Sequence, residues 1–242
     1  MNSYSLILRN WKEIYRDPVS ILLGLAMPVL MLFIFSSINK NVPLEIFSPQ
    51  YLTPGIVIFS FTFLIMFSAV LLAKDKQSSF LIRLFTTPLK PADFIMSYIV
   101  PFLPLALLQV AVCLITGTLL GGNFNNILPS LAIYFIIAFI CITIGVAIGS
   151  SLTLNQVSGI GSLLMTTIGL VSGVWMDLKM VGGIFEKIGY ALPFVHAVEI
   201  LKNLMKGDLE KFSLSSFTVL VCYALLFFLL AIFSFMNYMR KR

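Results

Sequence analysis

The chain has 242 residues, of which 59% are hydrophobic and 11% are charged, and its mean hydropathy is +1.01. A soluble globular domain carries about 25% charged residues, so this composition excludes a soluble enzyme or binding domain and indicates a membrane protein. The formal net charge of +6 lies in short segments between apolar runs, which indicates membrane topology and excludes nucleic-acid binding as its purpose.

The first predicted element is an amphipathic helix over residues 1–17. Its apolar side chains recur at helical spacing, while charged side chains take the other face. This pattern favours a helix lying in the membrane interface, with Trp11 at headgroup depth, over a short soluble helix that merely precedes a span. The residues that we expect to carry this role are Tyr4, Ile7, Trp11 and Arg16.

Six runs without Asp, Glu, Lys or Arg follow, each long enough to cross a hydrocarbon core, which takes about 20 residues. They predict an all-α integral membrane fold with six transmembrane helices, organised as a single domain over residues 1–242. The predicted spans are 18–38, 52–73, 94–120, 128–150, 157–175 and 215–239.

The orientation of the spans follows from the loops, because Lys and Arg are retained on the cytoplasmic side of short loops. With six spans, both termini share one side. Placing them in the cytoplasm assigns the whole net charge of +6 to that side. We therefore expect a multi-pass protein of a bacterial plasma membrane with both termini inside, in contact with membrane lipids.

Residues 74–93 form the loop between the second and third predicted spans. Its segment SSFLIRLF predicts a short helix with one apolar side, and Pro88 and Pro91 end that helix. Leucine and phenylalanine displayed on a short cytoplasmic helix favour a docking surface for a partner over a helix that lies against the protein's own base.

Residues 176–214 form the large loop on the other side. The pattern predicts two short amphipathic helices, broken before Pro193, with the second ending near Gly207. Their apolar positions are too numerous for a loop in water, so we expect these helices to dip into the outer leaflet or to cap the spans.

Absent motifs restrict the function further. The predicted spans contain no ionisable Asp, Glu, Lys, Arg or His, which disfavours a secondary transporter or a proton pump. The sequence has no phosphate-binding GxxxxGK[ST] loop and no catalytic pair within a span. We therefore predict a protein that is not an enzyme and has no catalytic, cofactor-binding or metal site. Any active transport then draws its energy from another subunit.

Residues 75–91, DKQSSFLIRLFTTPLKP, resemble the signature of ABC-2 type permeases, E-R-E-x-G-T-L-x-R-L-x-x-T-P-L-x-P. Asp75 and Gln77 replace the two glutamates of that pattern, and Ser79 replaces its glycine. The segments LVSGVW (170–175) and LPFVHAVEILKNLMKG (192–207) are similar to two further motifs of this family. The positions that match the signature are Leu81, Arg83, Leu84, Thr87, Pro88, Leu89 and Pro91.

The resemblance implies a permease that acts as a homodimer or heterodimer, each protomer engaging a separate ATP-binding subunit. That subunit binds ATP and Mg²⁺, and this chain binds no cofactor. The resemblance also implies re-entrant outer helices, with a motif formed by Pro193, His196, Glu199 and Lys202. The residues implied to contact the ATPase, in the coupling helix of loop 74–93, are Arg83, Leu84, Phe85, Thr87, Pro88 and Leu89.

Charge-free spans rich in Phe, Leu, Ser and Thr favour a hydrophobic or amphiphilic substrate. Export of a drug, an antibiotic or a peptide is the first hypothesis, and export of a lipid-linked glycan or teichoic acid is the second. A membrane scaffold or immunity protein that sequesters a peptide without transport is a third. The motifs Gly145/Gly149 and Gly169/Gly173 permit close helix packing, within one protomer, which we favour, or between two.

Overall fold

The computed structural model describes residues 3–78, 90–175, 178–208 and 213–240, and these ranges contain α-helices and no strand. Two 3₁₀ turns, Glu45–Phe47 and Val100–Phe102, join helices. In chain order the helices are α1 (Ser3–Tyr15), α2 (Pro18–Asn41), α3 (Pro49–Gln77), α4 (Pro91–Ile99), α5 (Leu103–Leu119), α6 (Ile127–Ser151), α7 (Leu154–Val171), α8 (Leu178–Val181), α9 (Gly183–Ala191), α10 (Pro193–Lys206) and α11 (Leu214–Arg240).

The described part of the chain contains six candidate membrane-spanning helices, the number predicted. They are α2, α3, α4 continued by α5, α6, α7 and α11, and each is long and apolar enough to cross a bilayer. Several helices extend past the charge-free runs. The second span continues to Gln77 and the third begins at Pro91, so residues 74–77 of the predicted loop are helical.

The fifth span lies earlier in the sequence than predicted, at Leu154–Val171 rather than 157–175. Thr153 and Gln156 form a capping box that starts the helix. The chain leaves the helix after Val171, and Gly173 has a φ of +71°, a left-handed conformation that glycine adopts readily.

Helix α3 is at the centre of the molecule and packs against α2, α5, α6, α7 and α10. In its most apolar stretch 78% of the residues are buried, compared with 22% for α2 and 17% for α11. The helices around α3 therefore turn much of their apolar surface to the surroundings, where lipid covers it at no hydrophobic cost.

Glycines allow α6 to approach α3 closely. A Cβ atom on Gly145 would lie 2.2 Å from the carbonyl oxygen of Ile65, and one on Gly149 would lie 2.5 Å from that of Ala69. The Ser68 hydroxyl also donates to the Ile142 carbonyl at 3.2 Å across this contact. The expected packing of the Gly145/Gly149 motif within one protomer is confirmed.

The predicted helix pair of the large loop is present as α9 and α10. Pro193 starts α10 after the break at Leu192, and Gly207 ends it with a φ of +96°. The buried side of α10 packs against α3, α6 and α11. Helix α10 therefore caps the spans, and its depth in a membrane stays a prediction.

Candidate functional site

A partly buried ion pair joins α1 to the end of α3. Asp75 is 4% exposed and receives two hydrogen bonds from the Arg9 guanidinium, one of them from Nη2 to Oδ1 at 2.6 Å. The Tyr98 hydroxyl of α4 donates to Oδ2 of the same carboxylate at 2.5 Å. Burial acts to lower the pKa of Arg9, but the hydrogen bond and charge of Asp75 outweigh it and raise that pKa. Arg9 therefore stays charged and serves only as a hydrogen-bond donor in this contact.

A second contact runs beside the ion pair. Asn10, which is fully buried, donates from Nδ2 to the Ser97 carbonyl at 3.0 Å. Together, Arg9, Asn10, Asp75, Ser97 and Tyr98 form the terminal network, which holds α1, α3 and α4 together. These contacts fix the position of α1 against the end of α3 and against α4.

Lys76 extends the junction to α6 and α11. Its Nζ donates to the carbonyl of Ser150 at 2.6 Å and to that of Leu152 at 2.9 Å, at the C-terminal end of α6. The same Nζ lies 4.7 Å from the ring centroid of Tyr238 on α11. A cation at a helix C-terminus stabilises the helix, because it interacts favourably with the negative end of the helix dipole. Five helices therefore meet at the face of the molecule that carries α1, which we call the terminal face.

A cleft of about 500 Å³ opens at the terminal face between α1, α2, α3 and α5. Its rim is charged and contains Glu13, Arg16, Asp17 and Lys74. Its apolar walls are Ile14, Ile21, Met66, Phe67, Val70, Leu71, Phe102 and Leu105. A space with a charged rim and an apolar floor is amphipathic, and we call it the terminal cleft.

The surface of α1 away from the network is apolar. Tyr4, Leu8, Trp11 and Tyr15 are exposed at 68%, 41%, 40% and 76%, and their spacing places them in one stripe of the helix. An exposed aromatic stripe is typical of helices that lie at a membrane interface, and this role of α1 remains a prediction.

On the opposite face, α10 is bound to its neighbours through polar side chains. His196 donates from Nε2 to the Tyr190 carbonyl at 3.0 Å, and its Nδ1 lies 3.2 Å from the Ser216 hydroxyl. His196 therefore connects α10 to both α9 and α11. Glu199 accepts a hydrogen bond from the Tyr190 hydroxyl at 2.5 Å. Lys202 Nζ donates to the Gly173 carbonyl at 3.2 Å.

The family described as ABC-2 type transporter matches residues 2–205. This chain belongs to the ABC-2 type transporter family.

Relatives of this ABC-2 chain are named as transport permeases. The chain is 22% identical to the transport permease YvfS of Bacillus subtilis, over 96% of this chain and 94% of YvfS. It is 27% identical to the transport permease ycf38 of Pyropia yezoensis and 26% identical to ycf38 of Porphyra purpurea, over 59% of this chain in each case. The aligned part spans about half the length of the two ycf38 proteins.

The predicted site residues of this ABC-2 permease fall into three groups. Tyr4, Ile7 and Trp11 lie on α1, and Arg16 directly follows that helix and lines the terminal cleft. Pro193, His196, Glu199 and Lys202 lie together on α10. The predicted ATPase contacts, Arg83, Leu84, Phe85, Thr87, Pro88 and Leu89, lie outside the described residues.

The terminal network was not predicted. The sequence pattern places Arg9 and Asn10 on the polar side of α1 and Asp75 in the loop. The structure instead brings all three against α4. One feature of the sequence pointed to a role for Asp75 in this network: it stands at an acidic position of the family signature. The described residues contain no group of three or more His, Cys, Asp or Glu side chains that could hold a metal ion.

Proposed function

We propose that this chain is the membrane-spanning permease subunit of an ATP-driven exporter. A separate subunit binds and hydrolyses ATP, and two permease protomers enclose the transport path. The substrate is a hydrophobic or amphiphilic molecule, such as a drug, an antibiotic or a peptide, taken from the cytoplasm or the inner leaflet. The membership in the ABC-2 family and the relatives named as transport permeases support this proposal.

The terminal network carries the proposal of energy coupling. Asp75 lies on the last turn of α3, is the first residue of the segment that resembles the coupling signature, and accepts two hydrogen bonds from Arg9 on α1. An ATPase that docks on this loop and on α1 displaces both sides of the terminal network. Because α3 is the central span, that displacement reaches the whole bundle.

The terminal cleft supports the proposed substrate class. Its walls, which include Phe67 and Phe102, take the apolar part of a molecule, while Arg16 and Lys74 at the rim take its polar part. A cavity of about 500 Å³ is in the range of small-molecule sites. The same features fit a lipid-linked glycan, which is the second candidate substrate.

The test is to substitute Asp75 in the permease reconstituted with its ATPase subunit in lipid vesicles. We expect Asp75→Asn to retain the bound ATPase subunit but to slow ATP-dependent transport by about tenfold, because Arg9 loses its charged partner and α1 is no longer fixed to the end of α3. Arg83→Glu tests docking separately, and we expect it to prevent copurification of the ATPase. Transport of a drug and of a lipid-linked glycan, measured side by side, distinguishes the two substrate classes.

Asp93→Asn is the matched control, because Asp93 is an exposed carboxylate at the start of α4. The charge-reversed pair Arg9→Asp with Asp75→Arg rebuilds the ion pair and is expected to restore transport. Equal transport by Asp75→Asn and Asp93→Asn would show that the network does not couple the two subunits. Transport that persists without ATP hydrolysis would refute the exporter proposal itself.

A further inference from the structure

A polar pocket of about 340 Å³ lies on the face opposite the terminal network. It is bordered by the start of α3, the segment after α7 and one side of α10. Four of its lining residues, at positions 199, 202, 203 and 206, follow the spacing of a single helix face. We call this cavity the α10 pocket, and its polar lining residues include Tyr51, Ser172, Glu199, Lys202, Asn203 and Lys206.

Two ammonium groups converge in the α10 pocket. Lys202 Nζ lies 3.8 Å from the ring centroid of Tyr51, and Lys206 Nζ lies 5.4 Å from the same centroid. The electron-rich face of the ring offsets part of their mutual repulsion. Two cations held beside one aromatic ring attract an anion.

A buried hydroxyl at the same pocket has its hydrogen-bonding capacity unused. Ser172 is 2% exposed and lines the pocket, and within the described part of the chain its Oγ has no hydrogen-bond partner. A buried hydroxyl without a hydrogen-bond partner is destabilising, because it has lost its bonds to water. An oxygen atom of a ligand can accept this hydrogen bond, so Ser172 indicates independently that the pocket takes a hydrogen-bond acceptor.

The acidic neighbours limit the charge of that ligand. Glu199 lines the pocket and accepts a hydrogen bond from Tyr190. Glu45 pairs with Lys206 at 2.7 Å from an exposed position outside the lining. The two lysines of the lining are therefore matched by Glu199 and by Glu45, so these four described groups carry no net charge. An anion binds here by competing with Glu45 for Lys206, and Glu199 repels a doubly charged group more strongly than a singly charged one.

We propose that the α10 pocket binds a phosphodiester monoanion, the group that links a phospholipid headgroup to its glycerol. Lys202 and Lys206 donate charge-assisted hydrogen bonds to the phosphate oxygens, and the Ser172 hydroxyl donates a third. The phosphodiester belongs either to a membrane lipid or to a soluble molecule. This site shares no lining residue with the terminal cleft.

The test is to measure binding of phosphatidylglycerol to the delipidated protein in a non-ionic detergent by native mass spectrometry. Diacylglycerol with the same chains serves as the lipid without phosphate. We expect Lys202→Gln to weaken phosphatidylglycerol binding by about tenfold, as expected for the loss of a charge-assisted hydrogen bond. We expect Ser172→Ala to weaken it less. Lys187→Gln, which changes an exposed lysine on α9 outside the lining, should leave it unchanged.

A variant that binds phosphatidylglycerol more tightly than the wild type provides a second test, because unfolding cannot increase binding. Glu45→Gln removes the partner of Lys206, so we expect it to tighten phosphatidylglycerol binding by about twofold to fivefold, the equivalent of a surface ion pair. Competition by soluble glycerophosphoglycerol would assign the site to a free phosphodiester, and its absence would assign it to the lipid.

Two results would overturn the proposal: equal binding of phosphatidylglycerol and diacylglycerol, or equal effects of Lys202→Gln and Lys187→Gln. The assay contains no ATPase and no transport step. Its failure therefore leaves the exporter proposal standing, and failure of the exporter proposal does not affect this binding measurement.

Discussion

At the scale of single residues, one side chain fixes the boundary between α1 and the first span. Asp17 caps α2 by accepting hydrogen bonds from the Ser20 amide at 3.2 Å and from the Ser20 hydroxyl at 2.7 Å. These two bonds lower the pKa of Asp17 below its ordinary value. Pro18 follows as the first helical residue, a position where its missing N–H carries no penalty.

We expect Asp17→Ala to destabilise the protein by about 1 kcal/mol at neutral pH, because the cap is lost. Since the folded-state pKa is lowered, the charged carboxylate stabilises the folded state fully above the ordinary aspartate pKa of about 4. This contribution disappears as the pH falls through the lower folded-state value. Thermal unfolding in detergent between neutral pH and pH 3 measures both effects.

Asp17→Asn is the matched control, because asparagine caps a helix about as well but does not titrate. Its unfolding temperature should exceed that of Asp17→Ala at neutral pH. Its decline with acidity should be smaller than that of the wild type. An identical acid profile in the wild type and in Asp17→Asn would mean that the Asp17 charge contributes nothing to stability.

At the scale of elements, the contact of α6 with α3 depends on glycine. We expect Gly145→Ala to destabilise the bundle by about 1–3 kcal/mol, the usual cost of overpacking. Its Cβ would lie 2.0 Å from the Ser68 hydroxyl oxygen and 2.2 Å from the Ile65 carbonyl oxygen, so the helices must separate. Thermal unfolding of the purified protein in detergent measures this change.

Gly159→Ala on α7 is the control for helix propensity, since a Cβ at Gly159 has no described atom within 4 Å. Alanine is the better helix former by about 1 kcal/mol, so this variant should be as stable as the wild type or more stable. If Gly145→Ala matched Gly159→Ala, the close contact of α6 and α3 would be refuted.

At the scale of the whole molecule, the property to be tested is the orientation of the bundle, that is, which of its two faces lies in the cytoplasm. The distribution of Lys and Arg predicts that the terminal face is inside. Two exposed lysines, Lys12 on α1 and Lys187 on α9, mark the opposite faces. They allow the orientation to be measured with single cysteines.

We expect Lys187→Cys to react with a membrane-impermeant maleimide in intact cells, and Lys12→Cys to react only after the membrane is opened. The background carries Cys222→Ser, because Cys222 is exposed, whereas Cys113 and Cys141 are buried. The opposite labelling pattern would invert the topology and would place the terminal network outside.

Much of the architecture follows from local sequence. The six spans depend on the length of apolar runs, and the break before Pro193 and the end at Gly207 depend on residues whose backbone preferences act locally. The third span differs from its local prediction. The run 94–120 predicts one helix, but Pro101 and Pro104 accompany a 3₁₀ turn that separates α4 from α5.

The membrane class, the number of spans, the helix pair of the large loop and the resemblance to ABC-2 permeases follow from the sequence alone. The central position of α3 follows only from the packing of the helices, because most of the apolar runs have similar hydropathy. Packing also pairs Asp75 with Arg9, 66 positions away, and places Ser172 in the same pocket as two lysines of α10. Local patterns specify which segments are helical, but the partner of a buried charge depends on which distant segments pack together.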